Sequence, residues 1–573
     1  MFTTSRWPLA VPSSSSFHLS AIAGLVFLRV NMSYSKFSQG SSPFQRFLSG
    51  PFSSQSSWAG AVLLGVALLA LIRHVRGSKS SGSQLPLPPG PPGLPVIGNL
   101  LQAPKEAPWK KYKEWSNKYG PIMSIRNGQN VFIIITSFDI VKDFLEKNNS
   151  VFSSRPHLVV IERASGGLAT SFLPYGPQWN SHRLLRGNVL KPAMAVKYRP
   201  VLDTESKQML HEVLSMNNLP QTLRRQAAST FLTIAYGYRL PIEPPEIQEM
   251  EELVSYMATI SEACFRGTSV LAEFFPFAQY LPGNSWWKEE ADKIAAKLTR
   301  FYVQKWRAGL ETSAWNWTKE YNVHKEAQPM DELERAYTIG SIYEASLTPF
   351  EILLIVILAA LYNPEETRRI QRAIDAVVGG ANRMPESSDM AQLPQILFFV
   401  HEALRWRPFS PLAAPRAVSK EVEYQGYRIP KGATIVVNQW AMDHDENIFA
   451  DPFKFRYSRW EEKPDLPHIS FGFGLRGCPG QHLAREYLFI SVARLLWAFD
   501  FNHPTVNGEV VVQDLEKLFC PRTPIAFFNQ VPYSFKVDIT PRDEKREALI
   551  EREWEGAEKD VNVLLDRVMP LPN

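Results

Sequence analysis

The chain has 573 residues, 45% hydrophobic and 21% charged, a composition that excludes a disordered chain and a multi-span membrane protein and leaves room for a large core. Its net charge of +5, from 62 basic and 57 acidic residues, is interspersed, with no basic run carrying aromatics, which argues against nucleic acid as a partner. Three distant cysteines, Cys264, Cys478 and Cys520, argue against a disulfide framework or structural zinc and place the catalytic mass in a reducing compartment.

In chain order, the first strong feature is WAGAVLLGVALLALI, uncharged from Trp58 to Ile72 and followed by Arg73, His74, Arg76 and Lys79. A span needs about 20 apolar residues, or about 17 at the short end, and Ser56 and Ser57 bring this segment into range. The basic flank keeps the following chain cytosolic. An earlier apolar patch, Leu19 to Leu28, is open to two readings: a signal-like segment, or translation upstream of a start at Met32. After the anchor, GSKSSGSQ is flexible, and Pro88, Pro89, Pro91 and Pro92 stiffen the stretch from Leu85 to Leu100 into an extended arm.

From about residue 96 no clean boundary appears and no repeat is found. GPIMSIRNGQNVFIIITS predicts two strands around Asn127-Gly128, a hairpin signal. Helical periodicity covers most of the rest, including Glu246 to Phe265 and the long run Asp331 to Asn363. Strands return within Lys420 to Gln439, and a charged helical tail follows Arg542. The predicted fold class is mainly α with small β-sheets: an amino-terminal tail (1–57), an anchor (58–72), a linker (73–95), one catalytic domain (96–541) and a tail (542–573).

Several motifs punctuate this helical body. YGPQWNSHR sets Trp179 and Arg183 one helical turn apart, and HEALRWRP sets Glu402 and Arg405 on one helix face. FRYSRW carries Arg459 and an aromatic, Trp460. FGFGLRGCPG can be read in two ways. Gly472, Gly474 and Gly477 fit a dinucleotide loop, but such a loop must follow a buried strand and be followed by an acid about 20 residues on. Asp500 lies near that place; the preceding Arg459 to Asp465, with its charges and Pro464, makes a poor buried strand. Alternatively the glycines make room around Cys478, whose sulfur holds a metal.

The second reading uses more residues. Phe471, Gly474, Arg476, Cys478 and Gly480, with Ala484 four residues on, resemble the haem-binding loop of the cytochrome P450 family. The resemblance covers roughly residues 86 to 540 and implies the cytochrome P450 fold, with haem b (iron protoporphyrin IX) whose iron takes Cys478 as axial ligand. It also implies that Arg459 joins Glu402 and Arg405 in a structural triad, and that Trp179, Arg183, Arg476 and Arg416 serve the haem propionates. Gly480 and Pro479 introduce a helix beside the sulfur, and Phe471 shields it from water. The run YTIGSIYEASLTPFEILLIVILAALYNPEE resembles the helix over the haem but departs from it. No acid occupies the usual acid position, held by Leu347 or, in a register shifted by one, its neighbour. Thr348 is the candidate proton-handling alcohol, assisted by Ser346 or water, with Glu344 a further candidate, and Pro349 is expected to kink the helix.

By the same resemblance the chain is a monooxygenase that inserts one atom of O2 into an apolar small molecule. Its electrons come from NADPH through a separate NADPH-cytochrome P450 reductase. It looks most like fungal microsomal members acting on secondary metabolites such as terpenoids or polyketides, as a single-pass endoplasmic reticulum membrane protein. A pocket is expected from the loop after Val151, residues near Phe301, the Ser341 to Phe350 face, Phe409 to Ala414 and the TPIAFFNQVP turn. Two rivals stand: a haem-thiolate enzyme that rearranges its substrate without O2, and a nucleotide-dependent dehydrogenase. Sequons occur at Asn31, Asn148 and Asn316, and only Asn31 falls on the lumenal side of this topology.

Overall fold

The computed structural model describes residues 65, 85–104, 106–215, 218–240, 273, 280, 286–519, 532 and 535–569. The anchor apart from Gly65, Asn31, Glu246 to Phe265, Cys264, Cys520 and nearly all of the TPIAFFNQVP turn lie outside the described residues.

Strands β1 (Ile122–Asn127) and β2 (Asn130–Ile135) form an antiparallel hairpin with Asn127 opposite Asn130. The turn residues are therefore Gly128 and Gln129 rather than Asn127 and Gly128. Gly128 has φ 61, a conformation glycine adopts without steric cost. Among the helices are α1 (Pro177–Leu190), α2 (Arg199–Ser215), α3 (Leu219–Tyr236), α4 (Trp286–Glu311), α5 (Glu332–Tyr362) and α6 (Pro394–Trp406). After α6 come β3 (Arg416–Ala417), a small hairpin β4 (Val422–Tyr424) and β5 (Tyr427–Ile429), and β6 (Thr434–Val437). Then follow α7 (Gln481–Ala498), β7 (Phe499–Asn502), β8 (Asp538–Pro541), α8 (Glu544–Glu555) and α9 (Val561–Val568). One sheet runs β1-β2-β6-β3, with β2 and β6 parallel; β7 pairs with β8.

Helix α5 organises the core. Asp331 caps it, accepting from the Glu334 amide at 2.8 Å, and Glu332 and Glu334 place negative charge in its first turn. It ends at Asn363, where Pro364 opens the next helix. By length and mean hydropathy (2.1) it could cross a membrane, yet that stretch is 82% buried. The reason is position: α3, α4, α6 and α7 pack around it, and a helix apolar on every side belongs in a core. The helix runs on through Pro349.

The proline arm docks on the sheet. Ser124 donates its amide to the Pro89 carbonyl (2.9 Å) and its hydroxyl to that of Pro88 (2.6 Å), and Arg428 donates its amide to the Pro86 carbonyl at 2.8 Å. The charged carboxy-terminal segment is helical and attached: α8 and α9 pack on α2, with Leu564, Leu565 and Val568 buried. Salt bridges Lys207–Glu553 (3.2 Å) and Arg546–Asp375 (2.7 Å) hold it down.

Candidate active site

Residues Ile469 to Gly480 form a tight loop ahead of α7. The Gly472 amide donates to the Ile469 carbonyl (2.7 Å), that of Gly477 to Gly474 (3.0 Å) and that of Cys478 to Phe471 (2.8 Å). Gly474 has φ 60, and a Cβ there would fall 1.8 Å from the Leu145 carbonyl oxygen. Only glycine fits. Gly474→Ala is expected to lower stability by at least about 1–2 kcal/mol from the left-handed backbone alone, with the clash added; a thermal melt that matches the parent would refute this.

No strand precedes the loop. Arg459–Glu462 is a short helix and no strand lies between it and the loop, while Asp500 sits on β7 accepting from Gln371 at 3.2 Å. The dinucleotide reading fails because a phosphate cradle needs a buried strand feeding it.

Cys478 is free, and burial pushes its thiol up, opposed by the Gly480 amide and the charge of Arg183. A metal bound at that sulfur would remove the proton outright. Behind the loop, His468 lies edge-on to Phe471 (5.8 Å) and stacks on His401 (4.1 Å). Burial lowers His401 to about 4 and His468 further, so both rings are neutral.

Around the same loop gather five guanidinium groups. Arg183 on α1 donates to the Gly477 carbonyl (2.9 Å), Arg416 on β3 to that of Phe473 (2.7 Å), and Arg476 to those of Ser153 (2.7 Å) and Leu173 (2.6 Å). Arg155 donates to the Ser171, Ala414 and Pro415 carbonyls. The Trp179 ring lies 4.2 Å from the Arg476 guanidinium, a cation–π contact. Arg476 and Arg416 are pushed down to about 9 and Arg155 to about 10, by burial first; Arg155, Arg416, Arg183 and Arg186 then push Arg476 further. Arg416 Nη1 is buried with no partner. Among the described residues Arg155, Arg416 and Arg476 bond only to carbonyls. Buried positive charge without a counter-ion is strongly unfavourable, so this space calls for an anion with more than one carboxylate. A haem, whose two propionates these guanidinium groups would hold, fits that donor set. Sequence reasoning named Arg183, Arg416 and Arg476 but missed Arg155 and Arg186; Arg186 follows Arg183 by three on one helix, a spacing that could have revealed it.

The triad residues meet in the interior. Glu402 Oε1 accepts from Arg405 Nη2 (2.9 Å), Arg459 Nε (3.0 Å) and the Arg456 amide (2.9 Å); Oε2 accepts from Arg405 Nε (2.9 Å) and Trp460 Nε1 (3.1 Å). Arg405 also reaches the Asp443 and Pro452 carbonyls (2.8 and 2.7 Å). The cluster thus ties α6 to residues 443–460, the segment ahead of the cysteine loop.

On α5, Ala345 is exposed and Glu344 and Thr348 are half-buried, although the helix around them is buried. These positions mark an open wall. Glu344 accepts from the Tyr302 hydroxyl, and burial raises its carboxyl pKa. Ser346 does not join them. It is 1% exposed and turns its hydroxyl back onto the Tyr343 carbonyl at 2.5 Å, satisfying itself within its own helix. Of the predicted pocket residues, Phe301 packs in the core against Tyr343, at 5.8 Å. Asn316 is 0% exposed, its amide donating to the Gly309 carbonyl (2.9 Å), whereas Asn148 is exposed.

A mainly helical fold that lays a cysteine loop beside a buried cationic clamp defines the class of haem-thiolate oxidoreductases. Comparison with known proteins agrees. A family profile described as Cytochrome P450 matches residues 88–527. The chain is 54% identical over 521 residues to Cytochrome P450 monooxygenase okaD of Penicillium ochrochloron, covering 91% of this chain and 97% of that one. It is 43% identical over 511 residues to Fumitremorgin C synthase of Aspergillus fumigatus, covering 86% and 95%. A zebrafish cytochrome P450 solved with progesterone superposes with a TM-score of 0.64 at 23% identity, over 76% of this chain and 99% of that one. The chain belongs to the cytochrome P450 family and is a monooxygenase, using haem, O2 and electrons supplied by a reductase.

Proposed function

We propose that this monooxygenase hydroxylates an apolar small molecule of secondary metabolism, in the terpenoid or polyketide range. Electrons come from NADPH through a separate flavoprotein reductase, and the enzyme is held to the endoplasmic reticulum by Trp58 to Ile72 with its catalytic domain in the cytosol. The observation that carries the reading is the carbonyl-only guanidinium cluster of Arg155, Arg416 and Arg476 beside the Cys478 loop. Cys478 would be the axial ligand; a thiolate-ligated haem, when bound, supplies O–O cleavage. Arg155, Arg183, Arg416 and Arg476 would orient it through its carboxylates. Thr348 and Glu344, on the open wall of α5, would hold the protons that accompany oxygen reduction. The balance is one substrate, one O2, two electrons and two protons to one hydroxylated product and one water.

The missing acid at Leu347 favours one rival, a rearrangement that needs no oxygen. The full chain, a fungal reductase and NADPH incubated with a metabolite panel under isotopically labelled O2 decides between them. Labelled product with NADPH consumed is expected; product formed with neither consumed overturns the monooxygenation proposed here.

A further inference from the structure

A chain of hydrogen bonds runs from the surface to the open wall of α5, through residues that the haem clamp does not use. At its outer end is Glu334, in the first turn of α5, with a side chain 21% exposed. Its Oε1 accepts from Gln178 (2.9 Å) and lies 3.0 Å from His182 Nε2. His182 is 0% exposed, and its Nδ1 lies 2.7 Å from the Thr170 hydroxyl. Thr170 and Ser341, each 2% exposed, have hydroxyls 3.4 Å apart. Ser341 also receives Arg186 Nη2, and in the resting arrangement its own hydroxyl donates to the Tyr337 carbonyl at 2.7 Å.

Every link in this series is an imidazole, a hydroxyl or a carboxylate, groups that both accept and release protons. Its inner end is suitably placed. Ser341, Ala345 and Thr348 recur at i, i+4 and i+7, one face of α5, about 10 Å from first to last. Ala345 between them is exposed, and its carbonyl lacks the usual donor four residues on, because Pro349 has no N–H. That carbonyl and the Thr348 hydroxyl give water on the open face two places to bind. Burial and Arg186 hold the His182 imidazole below its ordinary pKa, opposed by Glu334, so the resting ring is neutral and able to accept.

We propose that Glu334, His182, Thr170 and Ser341 are the proton entry of this site, with His182 as the relay, taking the place of the acid absent at Leu347. This rests on the monooxygenase reading above. In one transfer a proton from solvent passes by way of Glu334 to His182 Nε2. The imidazolium releases its Nδ1 proton to Thr170, Thr170 gives its own to Ser341, and Ser341, its hydroxyl turned away from the Tyr337 carbonyl, gives its own to water reaching it from the open face. One proton enters, one leaves, and the chain keeps its charge.

The test uses the full chain with reductase and NADPH, without organic substrate, comparing hydrogen peroxide with spin-trapped superoxide. Peroxide consumes two protons per O2 and superoxide none. His182→Gln and Thr170→Val are expected to lower the peroxide-to-superoxide ratio about tenfold or more, in the range of a lost proton donor, with haem content and the reduced carbon monoxide spectrum unchanged. An unchanged ratio in both overturns the relay; if His182→Gln does not fold, the near-isosteric Thr170→Val decides alone. A second readout needs no haem. Histidine C2 hydrogen–deuterium exchange, followed by mass spectrometry, should show Glu334→Gln lowering the His182 titration midpoint, and an unmoved midpoint breaks the outer link. A parent protein without the thiolate carbon monoxide spectrum would instead sink the monooxygenase reading.

Discussion

Cys478→Ser is expected to abolish the reduced carbon monoxide spectrum of a thiolate-ligated haem and take product formation to background. The replacement keeps the volume of the side chain to within one atom and leaves the loop hydrogen bonds of Gly472, Gly477 and residue 478 in place, since these are backbone bonds. What would be lost is the soft, strongly donating sulfur proposed as the ligand that sets the electron density of the iron. The guanidinium cluster remains in the variant, so some haem is expected to stay bound through its carboxylates. Spectrum and product formation should therefore vanish while pigment is only reduced. A variant that retains both the thiolate spectrum and turnover would remove Cys478 from the site.

The second large effect falls far from the chemistry. Glu402 is 0% exposed and its two oxygens receive five donors from Arg405, Arg459, Arg456 and Trp460. Glu402→Gln leaves two buried guanidinium groups without their counter-charge, and breaking a buried ion pair from one side costs about 3–5 kcal/mol. Against a total stability of about 5–15 kcal/mol, that is enough to unfold much of the population. The variant is expected to accumulate poorly, to melt well below the parent and to carry little haem. Glu462→Gln is the control. Its partner Arg456 and Glu462 itself are 38% and 52% exposed, and such a surface pair contributes about 0–1 kcal/mol. Equal melting temperatures for the two variants would show that the buried triad does not hold residues 443–460 in place.

Legibility in the sequence followed the range of the interactions. The cysteine loop was readable because its function requires residue types at fixed short spacing: Gly474 where Leu145 approaches, and Gly480 where the helix starts beside the sulfur. The long helix was readable from its periodicity, its Asp331 cap and the Asn363-Pro364 stop. The turn between β1 and β2 was placed one residue off, because Asn-Gly signals a turn without fixing which strand residues pair across it. Ser346 looked like a partner for Thr348 in a linear motif; in three dimensions a hydroxyl at i−2 falls on a different side of the helix and satisfies itself on its own backbone.

The sequence by itself determined the glycine-framed loop around Cys478, the E-x-x-R pairing of Glu402 with Arg405, the main helical elements and the apolar character of the core, since each is a local consequence of residue type and spacing. Only the tertiary structure decided that Arg155 and Arg186 stand with Arg183, Arg416 and Arg476, that the carboxy-terminal helices lock onto α2, and that His182 links Glu334 to Thr170. These groupings join residues from separate elements, and which charges or hydroxyls share a buried space depends on how the helices cross, a quantity that no stretch of a few residues contains.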